Sequence, residues 1–99
     1  MNVVNMKKKN EEYKLEAECR RLAVERGCIL AKIENNGYTG IPDDLFISHL
    51  GDLICLIEFK NGKEGRLSEE QKVWLARFPN LIYIIRSIDD FKEFLHKFG

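Results

Sequence analysis

Apolar positions along this chain change spacing several times, and each change marks an element. Over residues 11–26 they recur as Leu15, Cys19, Leu22 and Ala23, the stripe of an amphipathic helix, and Gly27 follows where a C-cap glycine belongs. Residues 29–34 read as a short strand of mixed polarity. Asn35-Asn36-Gly37 is a turn signal, and the loop runs on through Tyr38-Thr39-Gly40-Ile41-Pro42. Residues 45–48 and 53–60 are the next two strands, joined by the hairpin-length connection His49-Leu50-Gly51-Asp52. Ser68 and Gln71 have the spacing of a capping box, opening a helix that carries Val73, Trp74, Leu75 and Phe78 before Pro79. By that spacing Trp74 is expected in the core. Residues 81–85 form a continuous apolar run, as in a buried strand. Ser87 then caps a last helix with Phe91, Phe94, Leu95 and Phe98 on its apolar side, facing the core or a second subunit. The order is helix, three strands, helix, strand, helix: an α/β fold.

Ninety-nine residues are expected to form one domain with a core just large enough to fold alone. No apolar stretch approaches the roughly 20 residues that span a bilayer. Lys7-Lys8-Lys9 is followed by a polar, acidic helix pattern instead of an apolar segment, so no secretion signal is expected and the location is expected to be cytoplasmic. Cys19, Cys28 and Cys55 are odd in number and lack metal-ligand spacing, which reads as buried free thiols in a reducing compartment. Sixteen basic and sixteen acidic residues cancel, which argues against a dedicated nucleic-acid binder. An enzyme whose acidic site is offset by local basic patches remains compatible; Lys7 to Lys9, Arg20-Arg21, and Lys60 with Lys63 and Arg66 are such patches. A neutral chain of this size gains surface for a polyanion by forming a homodimer.

The chemistry concentrates in Gly40-Ile41-Pro42-Asp43 and Glu58-Phe59-Lys60. Strand alternation points Glu58 and Lys60 to one face and Phe59 to the other. If the two strands pair, Asp43 approaches Glu58. Two hard oxygen ligands beside a cation are what a Mg²⁺-dependent phosphodiester hydrolase needs. The Phe59 carbonyl offers a third oxygen, and Lys60 stands near the attacking water, to orient or deprotonate it or to steady developing charge. Glu16, at the edge of the first helix's apolar face, is placed to turn a carboxylate into the site. Gln71 either contacts a phosphate or a site water or only completes its capping box. Lys63 and Arg66 are candidate contacts to DNA phosphates, and Tyr38 a candidate stacking residue. His49 and His96 have no ligand spacing and no assigned role.

Gly40-Ile41-Pro42-Asp43, Glu58-Phe59-Lys60, then Gly65-Arg66-Leu67-Ser68 and Gln71 resemble the signature of the VRR-NUC (virus-type replication-repair nuclease) domain of the PD-(D/E)XK superfamily. The resemblance runs from about Glu16 to Trp74. It implies the restriction-endonuclease-like αβββαβ core, a mixed central sheet flanked by helices, here with an added C-terminal helix. It also implies a Mg²⁺- or Mn²⁺-dependent deoxyribonuclease acting on branched or four-way-junction DNA, often phage-encoded, working as a homodimer in the host cytoplasm. By position, Asp43 and Glu58 match the metal-binding acids, Lys60 the catalytic lysine, Gln71 the motif glutamine and Glu16 the first-helix glutamate, with Glu12 and Glu18 as neighbouring alternatives. Asp44 is an extra acid, so either of two aspartates can face the metal; the proline-first order favours Asp43. A catalytically silent DNA-binding module and a protein-assembly domain are the rival readings.

Overall fold

Helix α1 (Val3–Glu25) leads into strands β1 (Ile29–Lys32), β2 (Asp44–Ile47) and β3 (Ile54–Phe59); helix α2 (Glu69–Arg77), strand β4 (Ile82–Ile85) and helix α3 (Ile88–Phe98) follow. The computed structural model describes residues 3–34, 37–62 and 65–99, with side chains from residue 11 onward. The strands form one sheet in the order β1-β2-β3-β4. β1, β2 and β3 pair antiparallel, and β4 lies parallel to β3 across the α2 crossover. The mixed α/β sheet expected from the pattern is therefore present.

Two boundaries differ instructively. α1 begins at Val3 instead of near residue 11, because residues 3–10 contain no glycine or proline and several strong helix formers, although they carry no apolar stripe. β1 ends at Lys32, but the Ile33 N–H still donates to the Asp43 carbonyl at 2.8 Å, which carries the pairing to the edge of the candidate site. Asn35 and Asn36 of the expected turn lie outside the described residues. α1 closes in a Schellman motif: the Cys28 N–H donates to the Ala23 carbonyl and the Gly27 N–H to that of Val24, with Gly27 at φ 74°.

The core lies on one face of the sheet. Leu30, Phe46, Cys55, Ile57 and Phe59 point to it, and α1 and α3 cover them with Leu15, Cys19, Ala23, Phe91, Phe94 and Leu95. Phe46 is fully buried, and its ring meets that of Phe94 edge-on at 4.9 Å. Phe91 and Phe94 thus face the core, and Phe98 packs beside them against Tyr83. All three cysteines are buried and free; burial pushes the Cys19 thiol up to about 12 and the Cys55 thiol to about 11, so both stay protonated and inert.

The opposite face is barer, and Trp74 departs from expectation. α2 lies outside the core and has no buried residue; Trp74 is only half-buried. The physical reason is its indole N–H, which donates to the Thr39 carbonyl at 3.1 Å and so ties the helix to a loop instead of to the apolar interior. Ile29, Ile47 and Ile54 stand in register on this face, with Ile29 and Ile54 each more than half exposed at 52% and 56%. Among the described residues no helix is long and apolar enough to cross a membrane.

Because Phe46 is fully buried with its ring against Phe91 and Phe94 of α3, Phe46→Ala is expected to cost about 3–5 kcal/mol. Urea denaturation should show a lowered midpoint with an unchanged slope.

Candidate active site

Asp44 pairs with Ile57 in the β2–β3 register, which sets Asp43 opposite Glu58 one step further along. Asp43 Oδ2 accepts the Phe59 N–H at 2.8 Å, pinning the carboxylate to the end of β3. Lys60 Nζ lies 3.6 Å from Glu58 Oε2, on the same face as alternation requires. β2 and β3 are the two central strands, so this group stands at the end of the sheet's middle and not on an edge strand. The reason is that β1 and β4 each add a further strand outside them.

Gly40 brings in the fourth member. Its φ is 80°, and a Cβ there would stand 2.6 Å from Glu70 Cβ and 2.9 Å from the Gln71 nitrogen. Only glycine lets the loop touch the first turn of α2. Gln71 then serves two purposes with one amide. Its Oε1 accepts the Ser68 N–H at 2.8 Å to complete the capping box, and its Nε2 donates to Glu58 Oε2 at 3.0 Å. The capping-box role expected from the sequence is thus present, and the same amide also reaches the Glu58 carboxylate.

Glu58 Oε1 is buried and has no hydrogen-bond partner. Burial, then the nearby Asp43, pushes the Glu58 carboxyl up to about 8, against the pull of Lys60. Asp43 is also raised by burial, against the stabilising Phe59 N–H. Two buried carboxylates this close resist being ionised together.

A second acidic pair lies beside the first. Asp44, fully buried, points to the core face and binds Arg20 at 3.1 Å. Glu16, also buried, lies 3.6 Å from Arg20 and 3.7 Å from Lys32. Burial and Asp44 push Glu16 up to about 7, and its charge in turn raises Asp43. Of the alternative helix acids, Glu18 pairs with Arg21 on the surface and Glu12 accepts the Asn61 N–H at 3.4 Å. Asp44 escaped notice as an ion-pair partner, yet its spacing from Phe46 places it on the core face. Arg86 also went unnoticed, with no sequence signal; it clamps the loop after Lys60 through the carbonyls of Gly62 at 2.9 Å and Gly65 at 2.6 Å.

The expected basic patches fare unevenly. Arg20-Arg21 is not a free patch: Arg20 is held by Asp44 and the Leu30 carbonyl, and Arg21 by Glu18 and Glu25. Carboxylates on the same helix and on β2 neutralise both. Arg66 is exposed, whereas Lys63 and the side chains of Lys7, Lys8 and Lys9 lie outside the described residues. Tyr38 is exposed, with its ring edge-on to Trp74 at 6.0 Å. The Phe59 side chain is buried in the core. Among the described residues, no three His, Cys, Asp or Glu side chains gather closely enough to hold a metal ion by themselves.

No protein-family model matches this chain, and no curated protein matches it. A solved structure described as a VRR_NUC domain has a TM-score of 0.78 with it at 18% identity, over 90% of this chain and 98% of that one. The fold is that of a VRR_NUC domain. A VRR_NUC architecture is thus reached by a distant sequence, and the αβββαβ core implied by the motif resemblance is present, followed by α3.

The raised carboxyls set a pH dependence in protein free of divalent ions. The folded-state value of Glu58, about 8, lies above its ordinary 4.5, so folding binds a proton. That contribution is complete below pH 4.5 and is lost as pH rises through 8; Glu16 behaves likewise up to about 7. Urea midpoints in EDTA should therefore fall between pH 5 and pH 9. Glu58→Gln should be the more stable protein at pH 9, and an equal fall in the variant would refute the assignment.

Proposed function

We propose that this chain is a divalent-metal-dependent DNA endonuclease, a single nuclease domain that hydrolyses phosphodiester bonds and selects branched or four-way-junction DNA. The observation that carries this reading is the convergence of Asp43, Glu58, Lys60 and Gln71 at one end of β2 and β3, with a buried Glu58 oxygen left without a partner.

The residues fit a hard cation such as Mg²⁺ or Mn²⁺. Glu16 and Asp44 are balanced by Arg20 and Lys32, whereas Asp43 and Glu58 have only Lys60 beside them. With both ionised, Asp43 and Glu58 carry one negative charge more than Lys60 offsets, and Glu58 Oε1 is unsatisfied, as are Glu16 Oε1 and Asp44 Oδ1. Mg²⁺ is commonly held by one or two carboxylates and keeps several waters, so a third acid is not required. Asp43 and Glu58 are the proposed ligands, with the Phe59 carbonyl as a third oxygen and Glu16 as a further acid from the α1 side. What such a cation supplies is positive charge beside the scissile phosphate and easier deprotonation of the attacking water.

The protein's own groups do the rest. Gln71 fixes the Glu58 carboxylate by its amide N–H. The Phe59 N–H fixes Asp43. Lys60, largely enclosed, presents a cation to the attacking water and to the charge that develops on the phosphoryl oxygens. Arg66, Lys63 and Tyr38 contact the DNA around the site. The in-register row of Ile29, Ile47 and Ile54, at the end of the sheet away from Asp43 and Glu58, supports a homodimer, because an exposed apolar row is more stable covered by its two-fold copy. Buried, protonated thiols suit a reducing cytoplasm.

Labelled four-way-junction, flap and linear duplex DNA incubated with Mg²⁺, Mn²⁺ or EDTA test the activity. Metal-dependent cuts, strongest on branched substrates, should drop about 10²- to 10⁴-fold in Asp43→Ala and in Lys60→Ala while the fold is kept. Binding without cuts in any metal would leave a DNA-binding module, and neither binding nor cuts an assembly domain. Light scattering tests the dimer: Ile54→Asp should halve the mass of the wild-type species, and a monomeric wild type would exclude it.

A further inference from the structure

α2 presents apolar and aromatic side chains partly to solvent, with the Tyr38 ring edge-on to Trp74 at one side. Val73 is 66% exposed, and Trp74 and Phe78 are half-buried, their ring centroids 5.9 Å apart at a 37° tilt. The Arg77 guanidinium lies 5.0 Å from the Phe78 ring centroid. Val73, Trp74, Arg77 and Phe78 together line a hollow of about 160 Å³. We infer that this hollow is a stacking site for an unpaired nucleobase of the DNA being processed, a proposal that rests on the nuclease reading.

Three observations select this occupant. Flat aromatic faces beside a guanidinium are the chemistry that holds bases of any sequence, by stacking and cation–π attraction. The hollow is small and ringed by one short helix, which suits a single ring system and offers too little area for a stable protein partner. The same helix also delivers Gln71 to Glu58. From Gln71 to Phe78 is about 10 Å along the helix at 1.5 Å per residue, or roughly three nucleotides of stacked strand at 3.4 Å each. A base held there lies within a short run of single strand from the scissile phosphate. Flaps and single-stranded tails supply such bases, and blunt duplex does not. Trp74 would thereby join substrate recognition to loop geometry, since its indole N–H holds Thr39, next to Gly40.

Trp74 is the single tryptophan of the chain, so its fluorescence reports on this site alone. The experiment titrates protein in EDTA with a duplex carrying a single-stranded tail and with a blunt duplex of equal base pairs, following labelled-DNA anisotropy in parallel. Tailed DNA should quench Trp74 as it binds, and blunt DNA should bind without quenching. Phe78→Ala should weaken binding of the tailed substrate about 5- to 100-fold and leave blunt binding unchanged. Arg77→Ala, on the surface, gives a smaller loss in the same direction and guards against misfolding of the first variant, which circular dichroism checks. Equal quenching by both DNAs, saturated binding without quenching, absence of binding, or quenching that tracks protein concentration without DNA would each overturn the proposal. The last result would assign the hollow to a second copy. Cleavage assays separate this site from the nuclease reading: cuts without tail-dependent quenching remove the stacking site alone, and tail-dependent quenching without cuts removes the nuclease alone.

Discussion

The antiparallel register of β2 on β3 is the constraint on which the rest of this molecule depends. It sets Asp44 against Ile57 and so carries Asp43 to Glu58. A slip of β3 by one residue would turn Cys55, Ile57 and Phe59 out of the core and Glu58 into it. The register is fixed because one face of these strands is dry. Phe46, Cys55, Ile57 and Phe59 have no alternative place once α1 and α3 cover them. The hydrophobic core thereby determines the separation of two carboxylates that it does not touch.

Burying carboxylates is costly, and the fold handles its two acidic pairs differently. Glu16 and Asp44 are matched by Arg20 and Lys32, which lock α1 to β1 and β2. Breaking such a pair leaves an uncompensated buried charge. Asp43 and Glu58 receive the Phe59 and Gln71 N–H groups and one lysine, so only one of the two charges is offset when both are ionised. Burial first, and for Glu58 the nearness of Asp43 second, raises both carboxyls.

α2 is fastened by polar and backbone contacts in place of a buried apolar face. Gly40 accepts its first turn, Trp74 holds Thr39, and Gln71 reaches Glu58. A helix held this way frees its aromatic residues from the core. Arg86 performs a related task on the other side of Lys60, clamping the loop that follows it through two carbonyls.

Much of this was legible in the chain itself. Apolar spacing, apolar runs and turn signals located the seven elements, the Ser68 and Ser87 caps stood where the helices begin, and alternation put Glu58 and Lys60 on one face. Those features are local, set by neighbours a few residues away. Spacing did not reveal that Trp74 stays out of the core, that Arg20 is consumed by Asp44, or that one glutamine amide both caps α2 and holds Glu58. Each of these depends on which distant backbone or charge arrives beside the side chain. A helical stripe records that a residue is apolar, and a charge run that it is basic. Whether the indole N–H meets a carbonyl, or the guanidinium a carboxylate, is decided only when strands 10 to 40 positions away are folded against it, because hydrogen bonds and ion pairs need a partner at about 3 Å.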